Sequence, residues 1–378
     1  MMNEKLLSDL LTQMKKENYS GWDPYDGLES RIFRAVFLNK LRIFRLAWEQ
    51  AFKKSPINLR KLFLVPKKRN PKAIALVVLG LLNLYAKTKS EKYKKEALEL
   101  LEWLKSQSSK DFGDIGWGYP FDWQSRLFFA PKGTPNMVCT YFVGFAFLRA
   151  YKLFGDKKYL SMAEKAGKFM VDNLYTYSGT GNHFSYTPLD KGIVHNVNVF
   201  GAEFLLMLWK ENQDTKLKKI AMEALEFTFK KQNKDGSWYY GEEKERKWID
   251  NFHTGYILCS LKNISKIMKT FDQKILERGY NFYTENLFTE NMVPKYFHNN
   301  LYPVDIHCCA QAIITFLKFR DMDKSAGEKV DSIFDFTMKN LYSENSHFYF
   351  QKHRIYTIKI PYMRWSDAWM FYALSELG

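Results

Sequence analysis

The sequence predicts an all-α fold, an (α/α)6 toroid of six helical hairpins in an inner and an outer ring, with short aromatic β segments in the rim loops. The first observation is a repeat. Residues 232–261 contain a helix end, a glycine turn, an aromatic strand and the start of an apolar helix. Similar helix ends stand at Asn173, Gln232, Asn286 and Asn340, which are 59, 54 and 54 residues apart. A period of this length holds two helices and is typical of a helical-hairpin array.

The second observation is that two kinds of helix alternate along the chain. Counting Ser30–Phe52 as the first outer helix gives six pairs, the number that closes a ring, and an open solenoid is the alternative. Amphipathic helices with a lysine-rich face predict the outer ring, near 91–107, 157–174, 215–232, 272–286 and 325–340. Helices with few charges predict the buried inner ring, near 71–87, 136–153, 196–210, 251–268, 306–320 and 365–377.

The N-terminal region is predicted as residues 1–29, a helix and a turn that precede a single toroid domain of residues 30–378. Residues 1–18 have the spacing of a short amphipathic helix, and the DPYDG sequence that follows predicts a tight turn. The apolar spacing of residues 30–52 predicts a helix, and residues 53–70 read as a basic loop. Pro71 suits the first turn of the first inner helix.

The loops predict where a site can lie. Connections from inner to outer helices are short, whereas those from outer to inner helices have about 14–28 residues rich in Trp, Tyr, His and Asp. Long loops on one rim make a cleft. This rim lies over the N-termini of the inner helices, whose free N–H groups favour anionic groups.

Composition and charge narrow the functional classes. The formal charge of +16 suggests nucleic acid, but the lysines are spread over most helices and the sequence has no groove-binding or RNA-binding signature. No nucleic-acid partner is therefore predicted, and anionic glycans or lipid headgroups stay open.

The chain lacks a signal-peptide pattern and an 18-residue apolar run, so we expect a cytoplasmic protein without a transmembrane segment. Its four cysteines have no framework spacing, which favours reduced thiols.

Aligning the inner-helix starts places Cys139, Asn198, His253, Cys308 and Asp367 in one column that is expected to line the cavity mouth. Aromatic platforms interleaved with carboxylates and arginine suit a sugar site, because pyranose faces stack on rings while hydroxyls take polar groups. The predicted catalytic candidates are His253, Asp250, Tyr119, Asp122, Asp305 and Asp367. The predicted substrate-binding candidates are Trp117, Trp123, Arg126, His195, Asn198, Trp238, His307, Arg364 and Trp365.

Two of these candidates also have a structural interpretation. Asp250 and Asp305 can serve as N-caps of their helices.

Zinc is the cofactor to weigh, since His253 and His307 with the adjacent cysteines offer imidazole and thiolate. No CxxC, HxxxH or HExxH pair anchors two ligands on one element, so no metal is predicted, and no nucleotide fingerprint appears.

Two resemblances concern particular segments. QNKDGSW at residues 232–238 resembles an element of terpene cyclases, prenyltransferases and other α/α toroids. GWDPYDGLES at 21–30, WIDNFHTGYIL at 248–258 and IPYMRWSDAWMFYALSEL at 360–377 together resemble VpsJ-like polysaccharide-biosynthesis proteins. This resemblance implies a role in cell-surface glycan assembly and a fold similar to that of glucuronyl C5-epimerases and α/α-toroid glycoside hydrolases and lyases. It marks Asp23, Asp26, Asp250, His253, Arg364, Trp365 and Asp367 as motif positions.

The favoured functional hypothesis is an enzyme acting on an acidic oligosaccharide or polysaccharide, which could be lipid-linked, by proton abstraction. Arg126 and Arg364 are candidates to bind the sugar carboxylate, and His253, then Tyr119, to act as base. Hydrolysis by two of the four candidate aspartates is the neighbouring option. A non-catalytic glycan-binding scaffold is the alternative, and a terpene-cyclase reading is third because DxDD and DDxxD are missing. For Arg364, a ring-closing salt bridge to Asp23 or Asp26 competes with substrate binding.

Overall fold

A computed structural model describes residues 2–177, 179 and 181–377 of the chain. Most of this chain is helical. The α-helices are α1 (Met2–Lys16), α2 (Arg31–Ala35), α3 (Arg42–Lys54), α4 (Pro71–Thr88), α5 (Glu91–Ser106), α6 (Met137–Phe154), α7 (Lys157–Phe169), α8 (His195–Asn212), α9 (Thr215–Lys230), α10 (Asn251–Ile267), α11 (Gln273–Asn286), α12 (Ile306–Phe319), α13 (Ala326–Leu341) and α14 (Ala368–Glu376).

The helices form the predicted toroid. Helices α4, α6, α8, α10, α12 and α14 pack side by side, and α14 packs back on α4, so the inner ring is closed. Helices α5, α7, α9, α11 and α13 each pack outside the inner helix that precedes them. The (α/α)6 fold is therefore confirmed, and the open solenoid is wrong.

The sixth outer helix differs from the prediction. It is α1, which packs on α14 through an apolar stripe that includes Leu7, Leu10 and Met14. Ser30–Phe52 is not one helix, because Val36 is extended and separates α2 from a 3₁₀ turn at Phe37–Lys40 and from α3.

Helix α3 lies on the rim of the toroid. There it packs on the Gly27–Glu29 turn and on the Trp123–Gln124 strand. Its buried face forms a small aromatic cluster of its own with Phe33 and Phe63, so the apolar spacing there does not reflect a place in the outer ring.

Short antiparallel strands form the rim loops. They pair as β1–β2, β3–β4, β5–β6–β7 and β8–β10–β11, with β9 also on β10. The strands are β1 (Ser20–Gly21), β2 (Lys68–Arg69), β3 (Trp123–Gln124), β4 (Phe129–Ala130), β5 (Tyr175–Thr176), β6 (His183–Thr187), β7 (Asp190–Ile193), β8 (Val304–Asp305), β9 (Tyr342–Ser343), β10 (His347–Lys352) and β11 (Thr357–Pro361).

Polar caps start four of the inner helices. The side chains of Asn70, Asn136, Asp250 and Asp305 each accept a hydrogen bond from a backbone N–H in the first turn, over 2.8–3.0 Å. These caps fix where each helix begins and therefore which side chains face the central axis.

Two inner helices, α4 and α6, have the length and composition of membrane spans. In each, 67% of the apolar window is buried inside the toroid, so this apolar surface is core surface.

Gly236 ends the repeat turn with φ of +93°, a conformation that glycine adopts readily. The Nε2 of Gln232 donates to the carbonyls of Gly236 and Ile275, both at 2.9 Å. These hydrogen bonds tie the Gln232 to Gly236 turn to the N-terminal end of the neighbouring outer helix.

Candidate functional site

A cavity of about 430 Å³ opens at the N-terminal ends of the inner helices. Each of its six sectors receives the second residue of an inner helix or, in the last sector, of the π-helical turn Met363–Asp367 that precedes α14. These six residues are Lys72, Val138, Asn196, Phe252, His307 and Arg364.

The predicted column lies one to three residues further along each helix. Of its five members only His253 lines the cavity, whereas Cys139, Asn198, Cys308 and Asp367 are buried away from it. A helix turns by about 100° per residue, so a shift of one residue moves a side chain from the axis to the space between neighbouring helices.

Aromatic side chains from the rim loops form the walls. Trp123 lies against Tyr186 with ring centroids 5.4 Å apart, and the hydroxyls of Tyr119 and Tyr186 are 3.1 Å apart. On the opposite loop, Tyr240 and Trp248 stack at 4.6 Å. Rings with hydroxyls at their edges provide platforms for sugar faces and partners for sugar hydroxyls.

His253 and Asp250 form a dyad on the cavity wall. Asp250 caps α10 by accepting the His253 backbone N–H at 3.0 Å, and its Oδ2 accepts the imidazole Nδ1–H at 2.7 Å. The indole N–H of Trp248 donates to the same Oδ2 at 2.8 Å. Because Asp250 holds the proton on Nδ1, the lone pair of His253 is on Nε2, which has no hydrogen-bond partner in the described part of the chain.

A second imidazole, that of His307, lies between aromatic rings. Its ring centroid is 4.6 Å from those of Phe252, Trp365 and Trp369. Nε2 is hydrogen-bonded to the Tyr256 hydroxyl, and the buried Nδ1 has no partner among the described residues. Burial lowers the pKa of His307 well below its usual range, so this imidazole is neutral near pH 7.

Lys72, which the sequence analysis did not select, lies at the base of the cavity. Its Nζ is 5.0 Å from the ring centroids of Phe142 and Trp369 and 5.6 Å from that of Tyr256. Within residues 2–177, 179 and 181–377, no carboxylate or hydrogen-bond acceptor pairs with it. Burial, and to a lesser extent the charge of Arg364, lower the pKa of Lys72 well below its usual range. The sequence signal that could have identified Lys72 is that it is a single lysine in the otherwise apolar first turns of α4.

Arg364 lines the cavity but is already paired. Its Nε and Nη2 donate to the two carboxylate oxygens of Asp23 at 2.5 and 2.7 Å, and both side chains are buried. The ring-closing salt bridge is therefore the arrangement that the structure contains. Arg126, by contrast, is exposed at the cavity mouth, and in the described chain its guanidinium has no carboxylate partner.

Three of the predicted aspartates are engaged in the fold outside the cavity lining. Asp122 accepts from the Arg34 guanidinium at 2.9 Å and from a backbone N–H. Asp305 accepts from Gln351 at 2.6 Å, from the Trp365 indole and from the backbone of its own helix. Asp367 accepts from the His347 ring and the Phe348 backbone, both at 2.8 Å.

Two other titratable groups face the cavity in their protonated forms. Burial raises the pKa of Glu49 to about 8, so it is a neutral acid at pH 7. Burial also raises the pKa of Tyr119 well above its ordinary value, so its phenol keeps its proton.

The remaining predicted binding residues pack between the helices. The indoles of Trp117 and Trp238 donate to backbone carbonyls at 2.7 and 2.9 Å. His195 is buried between Thr228 and Glu242, and Asn198 fixes the backbone of β6 and α9. These four residues do not line the cavity, whereas Trp365 does.

The cysteines and histidines form no recognisable metal site. Burial raises the pKa of Cys309 to about 12 and that of Cys308 well above its usual value, which keeps both thiols protonated. Among the residues that the structure describes, no three His, Cys, Asp or Glu side chains converge as metal ligands.

Comparison with known proteins identifies the fold. No family model matches the chain, and no curated protein does. Solved structures do match. Cellobiose 2-epimerase from Bacillus thermoamylovorans B4167 aligns with a TM-score of 0.64 and 11% identity over 82% of this chain and 90% of that one. The Lin0763 protein from Listeria innocua gives 0.61 and 16% over 82% and 85%.

A third solved structure is an unsaturated glucuronyl hydrolase specific for heparin, with a TM-score of 0.60 and 15% identity over 82% of this chain and 87% of that one. At such identities the likeness shows the fold alone, and the VpsJ-like resemblance stays a prediction. The chain has the (α/α)6 toroid fold of these solved structures.

Proposed function

We propose that the protein is a carbohydrate-active enzyme that abstracts a proton from a sugar carbon next to a carboxylate, as an epimerase or a lyase does. One observation carries this proposal: Asp250 orients His253 so that the unpartnered Nε2 lies on the wall of an aromatic cavity. An imidazole held in one tautomer is a suitable general base near neutral pH. The structural neighbours include a cellobiose 2-epimerase and an unsaturated glucuronyl hydrolase, which supports a sugar as the substrate.

Lys72 supports an acidic substrate. The charged form of its amine has no counter-ion in the described chain, and a sugar carboxylate entering the cavity would supply one. The same ion pair would stabilise the negative charge that develops when the neighbouring carbon loses its proton. Lys72 therefore replaces Arg364 as our candidate to bind the sugar carboxylate at the bottom of the cavity, and Arg126 remains the candidate at its mouth.

Hydrolysis is less well supported by the geometry. It requires two available carboxyl groups facing the substrate. Asp122, Asp305 and Asp367 are engaged elsewhere, and Asp250 is committed to His253. Of the other carboxyl groups at the cavity, Glu49 is a buried neutral acid and Glu245 is exposed to solvent. A scaffold that only binds glycans remains the second proposal, because the aromatic walls would serve it equally.

Solvent deuterium exchange tests the proposal. The protein is incubated in D₂O with uronate-containing oligosaccharides, and products are followed by mass spectrometry and NMR. Deuterium at carbon without chain cleavage indicates epimerisation, and a new unsaturated uronyl end indicates elimination. We expect His253→Gln to lower the rate by about a hundredfold or more, and His353→Gln, a histidine outside the cavity lining, to leave it unchanged.

Asp250→Asn separates the two roles of the aspartate. Asparagine also caps helices, so α10 should persist while the charge that orients the imidazole is lost. We expect slower exchange with a nearly unchanged melting temperature. New reducing ends without deuterium would replace the proposal by hydrolysis, and binding without any product would favour the scaffold.

A further inference from the structure

We propose that the rim segment, defined as residues 31–69, is a docking surface for an anionic phospholipid bilayer. The proposal is independent of the chemistry in the cavity. It rests on three features of this segment: its exposed apolar side chains, its charge, and the position of α3 beside the cavity.

The first feature is exposed apolar surface. Nine of the sixteen large apolar side chains that are exposed in the described part of the chain lie between residues 32 and 64. The most exposed of these nine are Ile43 at 72%, Ile57 at 71%, Phe37 at 69% and Leu62 at 68%. Such a concentration in one short segment marks an interaction surface rather than ordinary scatter.

These side chains are not required by the fold. The interior of the segment is built from Phe33, Trp48, Phe52 and Phe63, whose rings contact one another at centroid distances of 4.6–5.6 Å. The exposed apolar residues lie outside this cluster, so their exposure to water lowers solubility without contributing to the core.

The second feature is charge. The segment contains twelve Lys and Arg residues and one acidic residue, Glu49, which gives +11 of the chain's total of +16. Glu49 is buried and faces the cavity, so it does not offset the outer surface. Arg31, Lys40, Lys54 and Lys61 are exposed, and the described chain provides no carboxylate partner for them.

This combination selects the partner. Apolar side chains interleaved with Lys and Arg bind the headgroup region of anionic membranes, where the chains insert and the cations contact phosphate. A second copy of this chain would place its own exposed lysines and arginines against those of the first, which opposes self-association. Nucleic acid would satisfy the cations but would leave the aliphatic side chains in water.

The third feature is the geometry of α3, which has three faces of about a third of its circumference each. Trp48 and Phe52 face the aromatic cluster. Leu46, Gln50 and Lys53 line the cavity. The stripe through Ile43 and Lys54 is exposed. A docked bilayer would therefore lie beside the cavity mouth, where it could present a membrane-anchored substrate.

Vesicle co-sedimentation tests the proposal with the full chain. The vesicles are phosphatidylcholine alone, or phosphatidylcholine mixed with phosphatidylglycerol, at low and high salt. We expect binding to the mixed vesicles, weakened by salt, and little binding to the neutral ones. Lys40→Gln with Lys61→Gln should weaken binding about fivefold for each cation removed. Phe37→Ser with Ile43→Ser should weaken it at both salt concentrations.

A matched control pair, Lys216→Gln with Ile355→Ser, removes an exposed lysine and an exposed isoleucine outside the rim segment and should bind as the wild type does. Four results would overturn the proposal. The wild type binds neither vesicle; the control pair weakens binding as much as the rim variants; or Phe37→Ser with Ile43→Ser abolishes a dimer in solution, which would assign the surface to a second copy. Tight binding of single-stranded RNA that is insensitive to the apolar substitutions, with no vesicle binding, would count against it equally.

Discussion

Replacing Arg364 by methionine should destabilise the fold strongly while affecting acidic and neutral sugars alike. The guanidinium makes two charge-assisted hydrogen bonds to Asp23, at 2.5 and 2.7 Å, and the exposed fractions of the two residues are only 3% and 5%. Methionine fills a similar volume but leaves the Asp23 carboxylate buried without its counter-ion. Breaking a buried pair from one side costs about 3–5 kcal/mol.

A double-mutant cycle measures this coupling. Arg364→Met, Asp23→Asn and the double variant are unfolded in urea at pH 7 beside the wild type. We expect each single substitution to cost several kcal/mol and the double to cost clearly less than their sum, with a coupling energy of about 2 kcal/mol or more. Glu226→Gln with Lys230→Met, which removes an exposed ion pair of similar length, is the control and should show little coupling.

The two possible roles of Arg364 give opposite results. If single substitutions each cost less than about 1 kcal/mol, or if their effects simply add, the ring-closing ion pair contributes little and our reasoning fails. Binding of one acidic and one neutral oligosaccharide to Arg364→Met provides the second readout. Because Asp23 already occupies the guanidinium, both affinities should fall together. A selective loss of the acidic sugar would return Arg364 to the binding site.

Two further predictions concern buried titratable groups. Lys72→Met should raise the free energy of unfolding at pH 7 by more than about 1 kcal/mol, since it removes a buried amine without a partner. Because the pKa of Lys72 is lowered in the fold, this gain in stability should shrink as the pH rises toward 10.5. Urea unfolding of both proteins at pH 7 and pH 10 will check this. Glu49→Gln should flatten the pH dependence of stability. Because its pKa is raised from 4.5 to about 8, Glu49 stabilises the fold fully below pH 4.5 and loses that contribution as the pH rises through 8. Between pH 4 and pH 9 the wild type should therefore lose on the order of 4 kcal/mol more stability than the variant, and equal losses would contradict the assignment.

The architecture could be predicted because it repeats. Each hairpin leaves the same local signals, namely an amphipathic helix, a turn such as Asp235–Gly236 and an apolar helix, and their spacing implies the ring. The identity of the sixth outer helix could not be read in this way, since it is α1, which packs on α14 from the other end of the chain. No local pattern distinguishes an outer helix at residues 2–16 from a rim helix at residues 42–54, because both are amphipathic.

The site was predictable only in part, for a geometric reason. His253 was selected from the aligned column, with Asp250 three residues before it, and both residues line the cavity. Asn196 was missed because it lies two residues before the column member Asn198, and Lys72 was missed because the column begins with Cys139 and contains no residue of α4. Asn198 was selected for the same reason and lies between helices, where its amide supports the fold.

The two basic side chains at the bottom of the cavity differ in whether the described chain supplies a counter-ion. Lys72 and Arg364 are both second residues of helical turns, where the positive end of the helix dipole disfavours a cation. Asp23 offsets this cost for Arg364. For Lys72 the described chain offers only the ring faces of Phe142, Tyr256 and Trp369, which attract a cation but do not neutralise it. This uncompensated amine is the observation on which our proposal of an acidic substrate depends, because no packing contact requires an amine at this point.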